Sequence, residues 1–271
     1  MQSSLRQKRG LGKVWRVLRR LGPRTTVRRG IVLLYHTVGT SRLSLSPEQF
    51  RSQMEWLAQH TQVVSLAELS AGICPPKTAT LCAITFDDGY AGVYHGAFPI
   101  LAELKFPATV YLTTAAIGES SLSSNGFAGL YPSEPMLTWT QVREMQAGGI
   151  SFGSHLVQHL DLTRIPRDVA LDQLQRSKGV IEAALDQPCA SFAYPWGRFN
   201  RRTSDWVAVS GYTNAVTALH GFVRRDAAFD PLQMPRMAIE NRYRLDDFEA
   251  LLVGDWDFMW VYQRLRRVMS R

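Results

Sequence analysis

Cysteine is scarce in this 271-residue chain: Cys74, Cys82 and Cys189 make neither an even set nor a C-x-x-C pair. That excludes a disulfide framework and a zinc ribbon, and it fits a reducing compartment. No apolar run is long enough to cross a bilayer. None near the N-terminus makes the hydrophobic stretch of a cleaved signal either, so export by that route is not expected. Internal repeats and low-complexity tracts are absent, which removes solenoids and fibrous assemblies and leaves one sizeable core as the expectation for a 45% hydrophobic chain. Acidic residues are missing from residues 1–30, which hold ten of the 31 Lys and Arg; the remainder carries 21 basic against 23 acidic residues. The net charge of +8 therefore belongs to an arm, and the body is close to neutral. With no domain-wide basic face and no base-stacking motif, nucleic acid is not an expected partner.

The arm is patterned. Leu11, Val14, Trp15, Leu18 and Leu21 recur at helical spacing, and Lys13, Arg16, Arg19 and Arg20 fall on another face. A helix lying on an anionic membrane surface has this pattern. The tail repeats it with Phe258, Val261, Tyr262, Leu265 and Val268 beside Arg264, Arg266, Arg267 and Arg271. Two other readings stay open: helices docked on the body that merely show solvated charge, and, for the arm, an organellar transit peptide. The expected division is an arm at 1–30, a central domain at 31–253 and a basic helix at 254–271.

Short apolar runs alternate with amphipathic stretches from residue 31 onward, the signature of repeated βα units on a parallel sheet. Strands are expected at 31–35, 79–86, 108–112, 150–153, 190–194 and 212–217. Ser46-Pro47-Glu48-Gln49 is a capping box with Pro at the first helical position, opening a helix to about residue 59, and Ser65 to Glu68 repeats the pattern. Further helices are expected at 90–105, from Thr138 to the Gly148-Gly149 stop, at 166–186 and near 200–210. Residues 118–135, rich in Ser and Gly, read as an inserted loop of the kind that frames a cleft.

Three segments carry chemistry. Thr85-Phe86-Asp87-Asp88-Gly89 sets two adjacent carboxylates at the C-terminal end of an apolar strand, where parallel α/β folds gather reactive groups. Their side chains diverge, so one can bind a metal while its neighbour, kept ionised by the ion, serves as general base. Asp-Gly after a strand is also an ordinary turn signal. His155-Leu156-Val157-Gln158-His159 again follows a strand, and its spacing puts two imidazoles on one face if the segment makes a helical turn. Two His and one carboxylate leave open positions on a divalent ion such as zinc, as catalytic sites need. The bland alternative is a His at a core edge. Phe192-Ala193-Tyr194-Pro195-Trp196-Gly197 ends another strand; its Pro and Gly fix a turn that can aim an N–H at a developing oxyanion while the aromatic rings stack on a sugar face. An aromatic turn covering the core is the alternative there.

Taken in order and each after a strand, Phe86-Asp87-Asp88-Gly89, His155…His159 and Tyr194-Pro195-Trp196-Gly197 resemble the polysaccharide deacetylase family, carbohydrate esterases related to nodulation-factor and chitin deacetylases. The similarity spans about residues 31–240. The resemblance implies a distorted (β/α) barrel, Asp87 as catalytic base, Asp88, His155 and His159 as metal ligands, and an oxyanion N–H from Trp196. There are departures. Leu156 stands where the family usually has Ser or Thr, so a hydrogen bond beside the first ligand is missing. Ala193 stands where many members carry an Arg that steadies the base, a role open to Arg236 in Met234-Pro235-Arg236-Met237. The downstream Leu-x-His that carries the general acid is absent, Ala218-Leu219-His220 being a near miss. Members with a permuted order supply this His from a Tyr-His after the first strand, which Tyr35-His36 matches; His36 is favoured over His220.

What the resemblance implies is a metal-dependent hydrolase, its ion expected to be Zn2+, that removes N-acetyl groups from amino sugars of a polysaccharide, oligosaccharide or lipid-linked glycan and releases acetate. Asp87 and His36 are its expected catalytic pair; Tyr194, Pro195, Trp196 and Arg236 are expected around the oxyanion and substrate. Together with the arm this suggests a cytoplasmic enzyme, peripheral at the inner face of the membrane. Two alternatives are a carbohydrate-binding relative weakened in catalysis, suggested by Leu156, Ala193 and the missing downstream acid, and an amidase acting on a non-sugar C–N bond.

Overall fold

The computed structural model describes residues 4–21, 29–41, 44–72, 80–122, 134–224, 229–261 and 263. In chain order the elements are α1 (Leu5–Leu21), β1 (Arg29–Tyr35), α2 (Pro47–His60), β2 (Gln62–Val63), α3 (Leu66–Ala71), β3 (Leu81–Phe86), α4 (Phe98–Leu104), β4 (Ala108–Leu112) and α5 (Trp139–Ala147). There follow β5 (Ser151–Ser154), α6 (Arg167–Leu185), β6 (Ser191–Ala193), α7 (Arg201–Val209), β7 (Asn214–Val216), β8 (Val223–Arg224), β9 (Met237–Ala238) and α8 (Leu245–Leu252).

The six expected strands are present and run parallel in the order β7-β6-β5-β4-β3-β1. Strands β3 and β4 are buried along their whole length, because both faces of such a sheet are covered. Alternation sorts their side chains. Val32, Ala83, Tyr111, Ala193 and Val216 turn to one cluster inside the curl of the sheet. Leu33, Ile84, Val110 and Phe192 turn outward to a larger cluster shared with the helices. The curl closes through residues 234–238. Met234 bridges to Val216 of β7, and Met237 and Ala238 pair in parallel with Leu33 and Leu34 of β1. The result is a distorted (β/α) barrel.

Local chemistry starts most of the helices where the sequence predicts. Ser46, Ser65 and Thr138 each accept the backbone N–H three residues on and complete reciprocal capping boxes, as does Asn200 at the head of α7. The helix expected at 90–105 is instead a π-helical turn over Val93–Ala97 followed by α4. Pro99 has no N–H to continue the ladder into the preceding turn, and the chain widens there. The ends of the expected loop at 118–135 are described, but 123–133 lie outside the described residues, as do Cys74, Tyr262 and 264–271 of the tail.

Helix α1 forms and packs on the barrel through charged residues rather than through the stripe of Leu11, Val14 and Leu18. Lys8 is buried, donating to Glu240 at 2.6 Å and to the Tyr243 hydroxyl at 2.7 Å. Arg9 makes two bonds to Asp247 at 2.7 and 2.5 Å, and Arg16 reaches Asp255 at 2.5 Å. Between them Gly12 lets the helix approach the ring of Trp256, itself a core residue only 1% exposed: a Cβ at position 12 would lie 2.8 Å from the indole. The tail thus begins inside the core at Asp255 and Trp256, and Phe258 and Met259 pack against it.

Gly10, by contrast, has nothing within 4 Å of where its Cβ would be. Gly10→Ala should raise stability by about 0.5–1 kcal/mol through helix propensity. Gly12→Ala should lower it by about 1–2 kcal/mol, because the indole cannot yield without disturbing the core. Urea unfolding of the two variants checks the contrast; equal shifts would mean that α1 is not seated on Trp256.

Candidate active site

Three loops leaving adjacent strands converge at the C-terminal end of the barrel. Asp87 and Asp88 follow β3, His155 and His159 follow β5, and the Tyr194–Gly197 turn follows β6. Asp88 adopts a left-handed backbone with φ of 72°, which turns its side chain away from that of Asp87. Asp88 Oδ1 then lies 3.4 Å from Nε2 of both His155 and His159. One ligand atom from each of the three residues falls within 4.8 Å of the others, and all three side chains are buried.

The imidazoles are oriented before anything binds. His155 Nδ1 donates to the carbonyl of Ala193 at 2.7 Å; a carbonyl can only accept, so Nε2 is left as the lone-pair nitrogen facing Asp88. His159 is pushed down to about 4 by burial and by His155 beside it, which keeps it neutral. Burial opposes the charge on Asp88, but His155 against it and the nearby His36 and His159 hold its carboxyl well below the usual range. Asp88 Oδ1 is buried and makes no hydrogen bond. An ionised carboxylate oxygen left so, facing one nitrogen of each of two imidazoles, is a donor set that suits a divalent cation of the zinc type.

No helical turn joins the two imidazoles, contrary to the sequence expectation. Leu156, fully buried at a φ of 70°, reverses the chain after His155, and the segment to His159 is a bend. The Leu156 N–H donates to Ser154 Oγ, while Thr114 and Ala115 donate to the carbonyls of Leu156 and Val157. Backbone bonds and Ser154 thus pin the loop that a hydroxyl at position 156 was expected to support.

Asp87 is held by Arg236, which reaches it across the barrel from the closing segment. Nη1 and Nη2 donate to the two carboxylate oxygens at 2.7 and 2.6 Å, Nη1 also donates to Thr85 Oγ1, and Nε donates to the Thr217 carbonyl. Burial raises Asp87, and the guanidinium outweighs it, so the carboxyl sits below its ordinary value and is ionised. The guanidinium lies 5.9 Å from the Tyr111 ring. His36, at the end of β1 next to β3, is close enough to act on the charge of both carboxylates.

His220 is not brought into this group. Its neighbours are Asp257, 4.0 Å from Nε2, Gln263, which accepts its backbone N–H, and Lys8; burial pushes it down to about 4. The aromatic turn also divides differently from the sequence expectation. Tyr194 is fully buried against Phe192 and Phe199, so its ring cannot stack on a sugar. Trp196 is 44% exposed, and its ring stands edge-on to His159 at 4.9 Å. Pro195 is buried, Trp196 has a φ of 59°, and Gly197 follows at 63°. A Cβ at Gly197 would fall 2.3 Å from that of Ala218, so no other residue fits there.

Removing Arg236 would leave Asp87 buried without its guanidinium partner. Arg236→Met should therefore cost about 3–5 kcal/mol of stability, and adding Asp87→Leu to it should recover most of the loss. Denaturant unfolding of the two singles and the double measures the coupling; strictly additive effects would contradict the pairing.

Comparison with known proteins agrees with this geometry. The model of the polysaccharide deacetylase family matches residues 75–215. Over 76% of its length the chain is 28% identical to YxkH of Bacillus subtilis (strain 168), covering 71% of that protein. It is 27% identical to a poly-beta-1,6-N-acetyl-D-glucosamine N-deacetylase of Staphylococcus epidermidis over 84% of this chain and 77% of that one. The solved structure of the Streptococcus pyogenes deacetylase PplD in complex with acetate is similar with a TM-score of 0.69 at 26% identity, covering 82% of this chain and 97% of that one. A match over more than half of the chain, on a barrel whose strand ends carry the three motifs in order, means that this chain belongs to the polysaccharide deacetylase family.

Proposed function

We propose that this protein hydrolyses N-acetyl groups from the amino sugars of a polysaccharide, releasing acetate and leaving free amines. The observation that carries the reading is the meeting, at one barrel end, of an ionised carboxylate held by a guanidinium with a buried Asp-His-His donor set. The staphylococcal relative named for poly-beta-1,6-N-acetyl-D-glucosamine supports a polymer of N-acetylglucosamine as the substrate class.

Asp88, His155 and His159 would hold the metal, for which zinc is our expectation. When bound, a divalent ion there would supply Lewis acidity to a water and to the acyl oxygen. Asp87 takes the proton of the water that attacks the acetamide carbonyl; both its oxygens are engaged by Arg236, and each keeps a further lone pair to accept with. Arg236 keeps that base ionised and aimed. The N–H of Trp196 faces the oxygen on which charge develops, and its exposed ring covers a sugar face. His36 gives a proton to the departing amine as the C–N bond breaks. A carbohydrate-binding relative weakened in catalysis would have no use for a buried, charged Asp87, which costs stability wherever it is not needed.

Metal binding is tested by titrating purified protein with zinc. His155→Ala, His159→Ala and Asp88→Asn should each lose at least about tenfold in affinity, and full affinity in all three would remove the assignment. Asp87→Asn should keep the metal while acetate release from N-acetylglucosamine oligomers falls by about 10²–10⁴-fold. For the acid, His36→Ala should slow an N-acetyl sugar far more than an activated acetate ester, whose leaving group needs no proton, and His220→Ala should show no such contrast. The reverse pattern would transfer the role to His220.

A further inference from the structure

Helix α1 turns its apolar side away from the protein. Leu11, Val14, Val17 and Leu18 are 51%, 59%, 59% and 56% exposed, although positions 11, 14 and 18 keep the spacing that usually packs on a core. The rotation is fixed from beneath by charge. Lys8, Arg9 and Arg16 bind Glu240, Asp247 and Asp255, and Gly12 rests on Trp256. Among the described side chains of α1, three basic residues are thus matched by acids of the barrel. Exposed Arg6 and Lys13, seven residues apart, run along one edge of the apolar strip. The sequence then adds Arg19, Arg20, Arg24, Arg28 and Arg29 with no acid among them. Half-buried Trp15 leads from the strip to a groove bordered by Phe222 and by Trp260 and Val261, which are 46% and 38% exposed.

We propose that α1, docked on the barrel as it stands, is the face by which the protein binds an anionic lipid bilayer. Leu11, Val14, Val17 and Leu18 enter the boundary between headgroups and acyl chains, Arg6 and Lys13 meet lipid phosphates, and Trp15 and Trp260 lie at headgroup depth. Charge decides against a second copy of the chain as the occupant. A two-fold contact through this strip would set its acid-free basic edges against each other, whereas an anionic leaflet complements them. The inverted docking also means that no rearrangement is required before the apolar strip can reach a membrane.

The test is sedimentation of the full-length protein with vesicles of phosphatidylglycerol and phosphatidylcholine, and with vesicles of phosphatidylcholine alone. The protein should pellet with the anionic vesicles at low salt, bind the neutral ones at least about tenfold more weakly, and be released as salt rises. The triple variant Leu11→Ser, Val14→Ser, Leu18→Ser keeps the ion pairs to the barrel and should melt like the wild type, yet lose about tenfold or more in affinity for anionic vesicles. Failure of the wild type to pellet, or equal pelleting by the triple variant, overturns the proposal. A dimer seen by light scattering that the triple variant abolishes would assign the strip to a second copy and overturn it as well. So would a marked gain in vesicle binding by a chain ending at residue 263, which would make the protein's own tail the occupant.

Discussion

The bond between Arg236 and Asp87 makes barrel closure and site chemistry one problem. A carboxylate at Asp87, 4% exposed, can stay charged only beside a fixed cation, since burial alone would protonate it. That cation sits on residues 234–238, the segment that pairs with β1 on one side and β7 on the other. If the segment fails to close the sheet, the guanidinium is not delivered; if the guanidinium is missing, an unpaired charge opposes closure. The remaining Arg236 donor bonds, to Thr217 and Thr85, tie it to strand ends on both sides of the seam. Such an arrangement adds little net stability compared with an apolar filling, but it is costly to break halfway.

Much of this was legible in the residues. Strands buried on both faces read as unbroken apolar runs, and Ser46, Ser65 and Thr138 announce their helices because capping is a local bargain between a hydroxyl and an N–H three residues on. The adjacent carboxylates and the two imidazoles stand out because a strand end followed by ligand-type residues is a short-range pattern, but it is the family resemblance that singles out Asp88 and completes the set. Arg236 was recognisable only as a candidate, since its partner lies 149 residues away in sequence and register alone brings them together. For α1 the pattern left two readings open, an apolar stripe turned out toward a membrane or one docked on the body. Helical periodicity shows that a helix has two unlike sides, but which side faces in depends on Glu240, Asp247 and Asp255, contributed by a distant stretch of chain. Tyr194 shows the same limit, because two aromatic residues flanking one proline look alike until one is found inside the core.

Backbone conformation at the site was equally hidden. Asp88, Leu156 and Trp196 all have left-handed φ values, at 72°, 70° and 59°, and each belongs to a different motif. Asp tolerates this region through its short polar side chain; Leu and Trp do so at a cost. The surroundings impose it. Leu156 is locked by its own buried side chain and by Ser154 and Thr114, and Trp196 by the Tyr194–Gly197 bond beneath it. The effect is to point His155, His159 and the Trp196 ring at one another, with the rings of the two His 4.7 Å apart and that of Trp196 4.9 Å from His159. Strain concentrated in three loops that share one barrel end is what a preorganised site requires, and at His155 and His159 it does the work a helical turn would otherwise do.

The family match at residues 75–215 begins after His36 and stops before Arg236. Both residues that flank the carboxylates from outside the matched region therefore come from the two chain segments that meet at the closing seam, β1 and residues 234–238. In a closed barrel the first and last staves are neighbours, so groups far apart in the chain can stand side by side at one barrel end. Ala193 lies in the apolar cluster inside the curl, and the guanidinium at Asp87 is that of Arg236, which arrives from the closing segment. In this chain the cation beside Asp87 and the imidazole that acts on both carboxylates come from the two segments that meet at the seam.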